Sequence, residues 1–117
     1  MFTKRKGKAV LLDTNTVDGM AYDEQNNALR MLLTDPLEWT GSLSEHEHLS
    51  LLQEKINNYI AFIEDKQYKS VYPDKSFREF VIEIHFKYDI PENCKKFLGA
   101  VDSQLNQTNI KTEHHIS

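Results

Sequence analysis

Phe80-Val81-Ile82-Glu83-Ile84-His85-Phe86-Lys87-Tyr88 carries a large apolar side chain at every second position. Successive side chains of a strand point to opposite faces, so Phe80, Ile82, Ile84, Phe86 and Tyr88 share one face. Val81, Glu83, His85 and Lys87 share the other. A strand of a buried parallel sheet would be apolar on both faces. The alternation therefore predicts an interior strand of an antiparallel sheet, with one face covered and one wet. The rest of the chain has to supply the cover.

Upstream, Asp13-Thr14-Asn15-Thr16-Val17-Asp18 is polar and turn-rich, because short Asp, Asn and Thr side chains bond nearby backbone. Val17 to Tyr22 and Ala28 to Leu33 read as two strands joined by the polar link Asp23-Glu24-Gln25-Asn26-Asn27, a hairpin. Gly19 marks a bulge or a close backbone approach. Asp35-Pro36 breaks the second strand, since proline cannot donate to a ladder. Ser44-Glu45-His46-Glu47 is a capping box that opens a helix to about Asp65. Leu49, Leu52, Ile56, Tyr59, Ile60 and Ile63 form its apolar stripe, with Glu54, Lys55, Asn57, Asn58 and Glu64 on the wet side.

Lys66 to Ser76 is a loop bearing Tyr68 and Tyr72, and the alternating strand follows from Phe77 to Tyr88. A second helix is expected with Asp89 as its N-cap, Pro91 in the first turn, and Cys94, Phe97, Leu98, Val101 and Leu105 on its apolar side. Ile110 to Ile116 alternates loosely and carries charges that suit an edge strand. The order ββαβαβ predicts an α+β two-layer sandwich: a mainly antiparallel four-stranded sheet with both helices packed on one face.

The chain has 117 residues, which fits one domain. Its net charge of -4 argues against a general nucleic-acid binder. No window approaches the roughly 20 apolar residues needed to span a bilayer. Behind the basic start Met1 to Lys8, the apolar run Ala9-Val10-Leu11-Leu12 is too short for a signal sequence. Residues 1–12 are expected to form a flexible basic tail, and residues 13–117 the domain. The lone Cys94 allows no intrachain disulfide and suits a reducing, cytoplasmic setting.

Phosphate loops, dinucleotide fingerprints and zinc-type Cys/His pairs are absent from the sequence. No catalytic residue, cofactor site or metal site is assigned, and the balance leans away from an enzyme. Cys94 near a helix N-terminus reads as a core residue rather than a nucleophile. His46 and His48 are two apart on a helix and do not share a face. If the last strand lies beside Phe80–Tyr88, then Glu83, His85, Glu113 and His115 gather on the wet face. That is a donor set zinc accepts, although solvated polar residues are the first expectation there.

Asp13-Thr14-Asn15-Thr16-Val17-Asp18, Thr34-Asp35 with Trp39 after it, His48-Leu49-Ser50-Leu51-Leu52-Gln53-Glu54-Lys55-Ile56-Asn57, Tyr59 to Glu64 and Val81 to Tyr88 together form a further pattern. Over roughly residues 13–116 this pattern resembles a family of small bacterial proteins catalogued only as a domain of unknown function. The resemblance implies a bacterial, cytosolic, single-domain protein, and supplies no activity, ligand or partner. His48, Gln53 and Asn57 are not explained by packing. They are expected to satisfy backbone groups of the adjoining loops.

The sequence thus favours a non-enzymatic protein-interaction module with an unidentified protein partner, no nucleic acid and no membrane. Its candidate surface is Trp39, Tyr68, Tyr72, Glu83, His85 and Lys87. A toxin-neutralising immunity-type protein is one version, since an acidic module suits a basic target. A homodimer is another candidate assembly. The alternative is a ligand-binding protein or enzyme with a cleft between the Trp39 loop and the Tyr68–Tyr72 loop.

Overall fold

The structure is a computed structural model, and it describes residues 13–117. The expected tail over residues 1–12 lies outside the described residues. In chain order the elements are β1 (Gly19–Asp23), β2 (Ala28–Asp35), α1 (Glu45–Glu64), a 3-10 turn (Gln67–Ser70), β3 (Glu79–Phe86), α2 (Glu92–Leu105) and β4 (Ile110–Ile116). The four strands make one sheet in the order β1-β2-β3-β4.

The fold is α+β with a four-stranded sheet and two helices, but the sheet is mixed rather than mainly antiparallel. β1 and β2 form the antiparallel hairpin, with Tyr22 opposite Leu29. β3 runs parallel to β2 on one side and to β4 on the other. Alternation in β3 reports which face is covered, not which way the neighbours run. Crossovers between parallel strands are almost always right-handed. Two successive crossovers in the same sheet direction therefore put α1 and α2 on one face and leave the other bare. Leu29, Met31 and Leu33 of β2, Phe80, Ile82, Ile84 and Phe86 of β3, and Ile110 of β4 meet both helices in a single core.

Local chemistry sets the boundaries. Asn27 takes a left-handed backbone with φ 48°, and the Asn26 side-chain amide donates to Asp23 at 2.8 Å, closing the hairpin. β2 continues to Asp35 because β3 pairs it to the end, Asp35 opposite Phe86. Gly19 makes neither a bulge nor a tight approach. It pairs regularly with Leu32, and a Cβ there would sit at an ordinary 3.6 Å from that side chain. β3 stops at Phe86, so Tyr88 falls outside the strand and is exposed.

The capping box of α1 is fully formed: Glu47 N donates to Ser44 Oγ at 3.0 Å, and Ser44 N to Glu47 Oε1 at 2.9 Å. The start of α2 differs from expectation. Its N-cap is Pro91, without a side-chain cap. A residue before proline is pushed away from helical geometry, so Ile90 cannot belong to a helix begun at Asp89. Ile90 is buried in the core instead. Lys55 also departs from the wet side assigned to it, being completely buried. The segment ahead of β1 crosses that side of α1: Thr14 Oγ1 donates to Glu54 at 2.6 Å, and Asn58 Nδ2 to Thr14 O at 2.8 Å.

Gly99 sits inside α2, is exposed, and has open space where a Cβ would stand. Gly99→Ala is therefore expected to stabilise the fold by about 0.5–1 kcal/mol, chiefly by restricting the unfolded chain. An upward shift of the urea midpoint at unchanged slope would show it.

Candidate functional site on the uncovered sheet face

Alternation carries one residue in two of every strand to the face away from the helices. The pairing brings Arg30 beside Ala21 and Val81, Glu83 between Leu32 and Glu113, and His85 between Thr34 and His115. Arg30 is the hub. Its Nε donates to Glu83 Oε2 and its Nη2 to Glu113 Oε1, with Asp23 at 3.9 Å. At the far end Lys111 pairs with Glu79 at 3.4 Å. Val81 lies between Arg30 and Lys111 and is buried although neither helix covers it, as the apolar stems of such side chains allow.

Glu83 uses its two oxygens differently. Oε2 meets Arg30, and Oε1 lies 3.2 Å from His85 Nε2. Partial burial alone would raise its pKa, but hydrogen bonds and charge from Arg30 and His85 outweigh it and hold the carboxyl below its ordinary value. It is therefore an anion at neutral pH. Opposite His85 across the β3–β4 ladder, the His115 ring lies at a centroid distance of 5.0 Å and an angle of 32°. Beside the hub, Gly19, Ala21 and Leu32 floor a shallow depression of about 320 Å³, rimmed by Arg30 and Glu83. It exists because two facing positions of β1 carry little or no side chain.

The other expected surface residues go elsewhere. Tyr68 is buried and packs on Phe77 and Phe80, and Tyr72 packs edge-on against Phe77. Trp39 stacks on His48 at 3.6 Å and leans on Phe86. Phe80 and Phe86 stand near opposite ends of β3, so the Trp39 loop and the Tyr68–Tyr72 loop are roughly 20 Å apart. They do not bound a common cleft. Lys87 is exposed just past β3, its Nζ 5.6 Å from the Tyr88 ring. Of the six candidates, only Glu83 and His85 come together on the open face.

Two polar networks were not legible beforehand. Buried His48 places Nε2 at 2.7 Å from the buried Asp35 carboxylate, which also accepts from Leu37 N at 3.1 Å. His48 thus meets a side chain through Nε2 rather than loop backbone, and Gln53 and Asn57 are simply exposed. In the second network Asp18 accepts from Lys55 Nζ at 2.9 Å and from Thr34 N at 2.9 Å. Tyr59 Oη donates to Leu32 O at 2.6 Å and accepts from Asp18 N at 2.8 Å. Burial, with the nearby Asp18 charge, raises the Tyr59 pKa. Both networks tie loops to α1. Cys94 is fully buried, and burial, with Asp35 and Glu45 adding to it, pushes its thiol up to about 12. A thiol protonated at neutral pH is not a nucleophile.

Fold and site together define a small α+β protein whose mixed sheet offers one charged, uncovered face. No helix of the described residues is long and apolar enough to cross a membrane. The chain belongs to a family described as a family of unknown function (DUF6572), whose model matches residues 9–117. No curated protein and no solved structure gives a significant match.

Proposed function

We propose that this protein is a non-enzymatic module of the bacterial cytoplasm that recognises a partner protein through the uncovered face of its sheet. The observation that carries the reading is the charge laid out there: the carboxylates Asp23, Glu79, Glu83 and Glu113 against the cations Arg30 and Lys111. The excess of acid matches the overall charge of -4 and selects a partner with a basic surface, because complementary potentials favour encounter and register. The depression floored by Gly19, Ala21 and Leu32 takes a projecting side chain of that partner. Neutralisation of a basic toxin is one form of this role. The unreactive Cys94 thiol speaks against cysteine chemistry as an alternative.

Ala21→Arg tests the reading, since Ala21 is exposed on an edge strand and the new side chain fills the depression with the wrong charge. Wild-type protein immobilised in native lysate is expected to retain one stoichiometric basic protein that elutes as salt is raised. Ala21→Arg should lose it. Retention of the same protein by both forms, or of none by the wild type, contradicts the proposal.

A further inference from the structure

We infer that Glu83, His85 and His115 form a binding site for a borderline first-row divalent cation, with Zn²⁺ as the reference ion. The ligand atoms of the three residues lie within 4.8 Å of one another. All three stand on rigid strands. Glu83 and His85 are two apart on β3 and so share a face. His115 faces His85 in register from β4, and Ser117 N, bonded to Phe86 O at 3.0 Å, holds the end of that strand in place.

The distances suit the ion. Zinc sits about 2.0–2.1 Å from imidazole nitrogen and about 2.0–2.2 Å from carboxylate oxygen. A tetrahedron with such bonds puts neighbouring ligand atoms about 3.3 Å apart, by the geometry of those bond lengths. Glu83 Oε1 and His85 Nε2 already stand at 3.2 Å. Side-chain rotation of His115, exposed at the end of an edge strand, brings the third donor in. Two imidazoles and one carboxylate are a borderline donor set of the kind that takes Zn²⁺ rather than Mg²⁺ or Ca²⁺.

Arg30 supplies the outer support. By engaging Glu83 Oε2 it fixes the carboxylate and leaves Oε1 for the cation, the arrangement by which outer partners orient metal ligands. Glu113, which faces Glu83 across the β3–β4 ladder, is turned to Arg30 and is not a ligand. Three protein ligands on an uncovered face leave the fourth coordination position pointing to solvent, the pattern of an open zinc site rather than a closed structural one. This inference goes beyond docking on the same face and does not depend on it.

Calorimetric titration of the untagged, isolated chain with ZnCl₂ at neutral pH tests it. One saturable equivalent is expected in the wild type. His85→Ala and His115→Ala should each weaken binding at least about 100-fold, since loss of even an outer partner costs 10–100-fold. His114→Ala, on the opposite face of β4, should bind like the wild type. Co²⁺ should give the strong visible absorption of a four-coordinate ion in the wild type and not in His85→Ala. Affinity should fall on acidification, because protons compete for the imidazole nitrogens. Absence of saturable binding, or equal binding by a protein lacking both His85 and His115, overturns the inference. Because no partner takes part, these outcomes are independent of those of Ala21→Arg.

Discussion

Asp35→Ala is expected to destabilise the protein by about 3–5 kcal/mol, because two buried donors lose their acceptor at about 1–3 kcal/mol each. Asp35 and His48 are both essentially inaccessible to solvent, at 1% and 0% exposure. The carboxylate holds His48 Nε2 at 2.7 Å and caps the turn after β2 through Leu37 N. Alanine strands both donors. His48 has no reserve, since Nδ1 is already buried without a hydrogen-bond partner among the described residues, and the Trp39 ring covers it. Asp35→Asn keeps an acceptor of the same shape and should lose less than half as much. Urea unfolding followed by Trp39 fluorescence measures both. If alanine and asparagine have equal effects, the hydrogen bonds are not the source.

Lys55→Ala carries the second large effect, again about 3–5 kcal/mol. Lys55 is among the largest fully buried side chains of the protein. Truncation opens a cavity, which for a comparable apolar chain costs about 2–5 kcal/mol, and removes an ammonium from beside the half-buried Asp18 carboxylate. Lys55→Met separates these contributions. It keeps the stem that fills the space but leaves the Asp18 carboxylate without its cation, the change that makes breaking a buried pair costly. Lys55→Met should therefore be more stable than Lys55→Ala by the cavity contribution, yet remain below the wild type by the contribution of the charge pair. A methionine variant as unstable as the alanine one would assign the whole effect to the charge pair. Calorimetric midpoints of the three proteins decide between them.

Neither network belongs to the open face, so these substitutions weaken the scaffold without touching Glu83, His85 or His115. That separation lets stability and recognition be measured independently. The fold also explains why the face is available. An α+β chain of this size has two helices to spend on one sheet, and right-handed crossovers place both on the same side.

Period-two alternation located β3 and its covered face, and the capping box located the start of α1 to the residue. The 3.6-residue stripe gave Leu52, Ile56, Tyr59 and Ile63 as core, because burial follows helical geometry. The polar link with Asn27 gave the hairpin. Glu83 and His85 were legible as wet-face residues for the same reason of alternation. Strand direction was not legible. Backbone polarity leaves no mark on side-chain periodicity, so the antiparallel expectation failed at β2–β3 and β3–β4. Nor did Lys55 announce its burial, since a lysine at a wet helical position reads as solvated unless another segment crosses it.

By itself, then, the sequence determined which residues alternate, which recur at helical spacing and where helix α1 is capped, since these are local properties of the backbone and its neighbours. Only the tertiary structure decided that β4 lies parallel beside β3 in the register that sets His115 opposite His85, that Arg30 gathers Glu83 and Glu113, and that Asp18 meets Lys55. Those pairings join residues 37 to 83 positions apart in several cases, and the free energy that selects them comes from closing one shared core, which no single stretch of the chain contains.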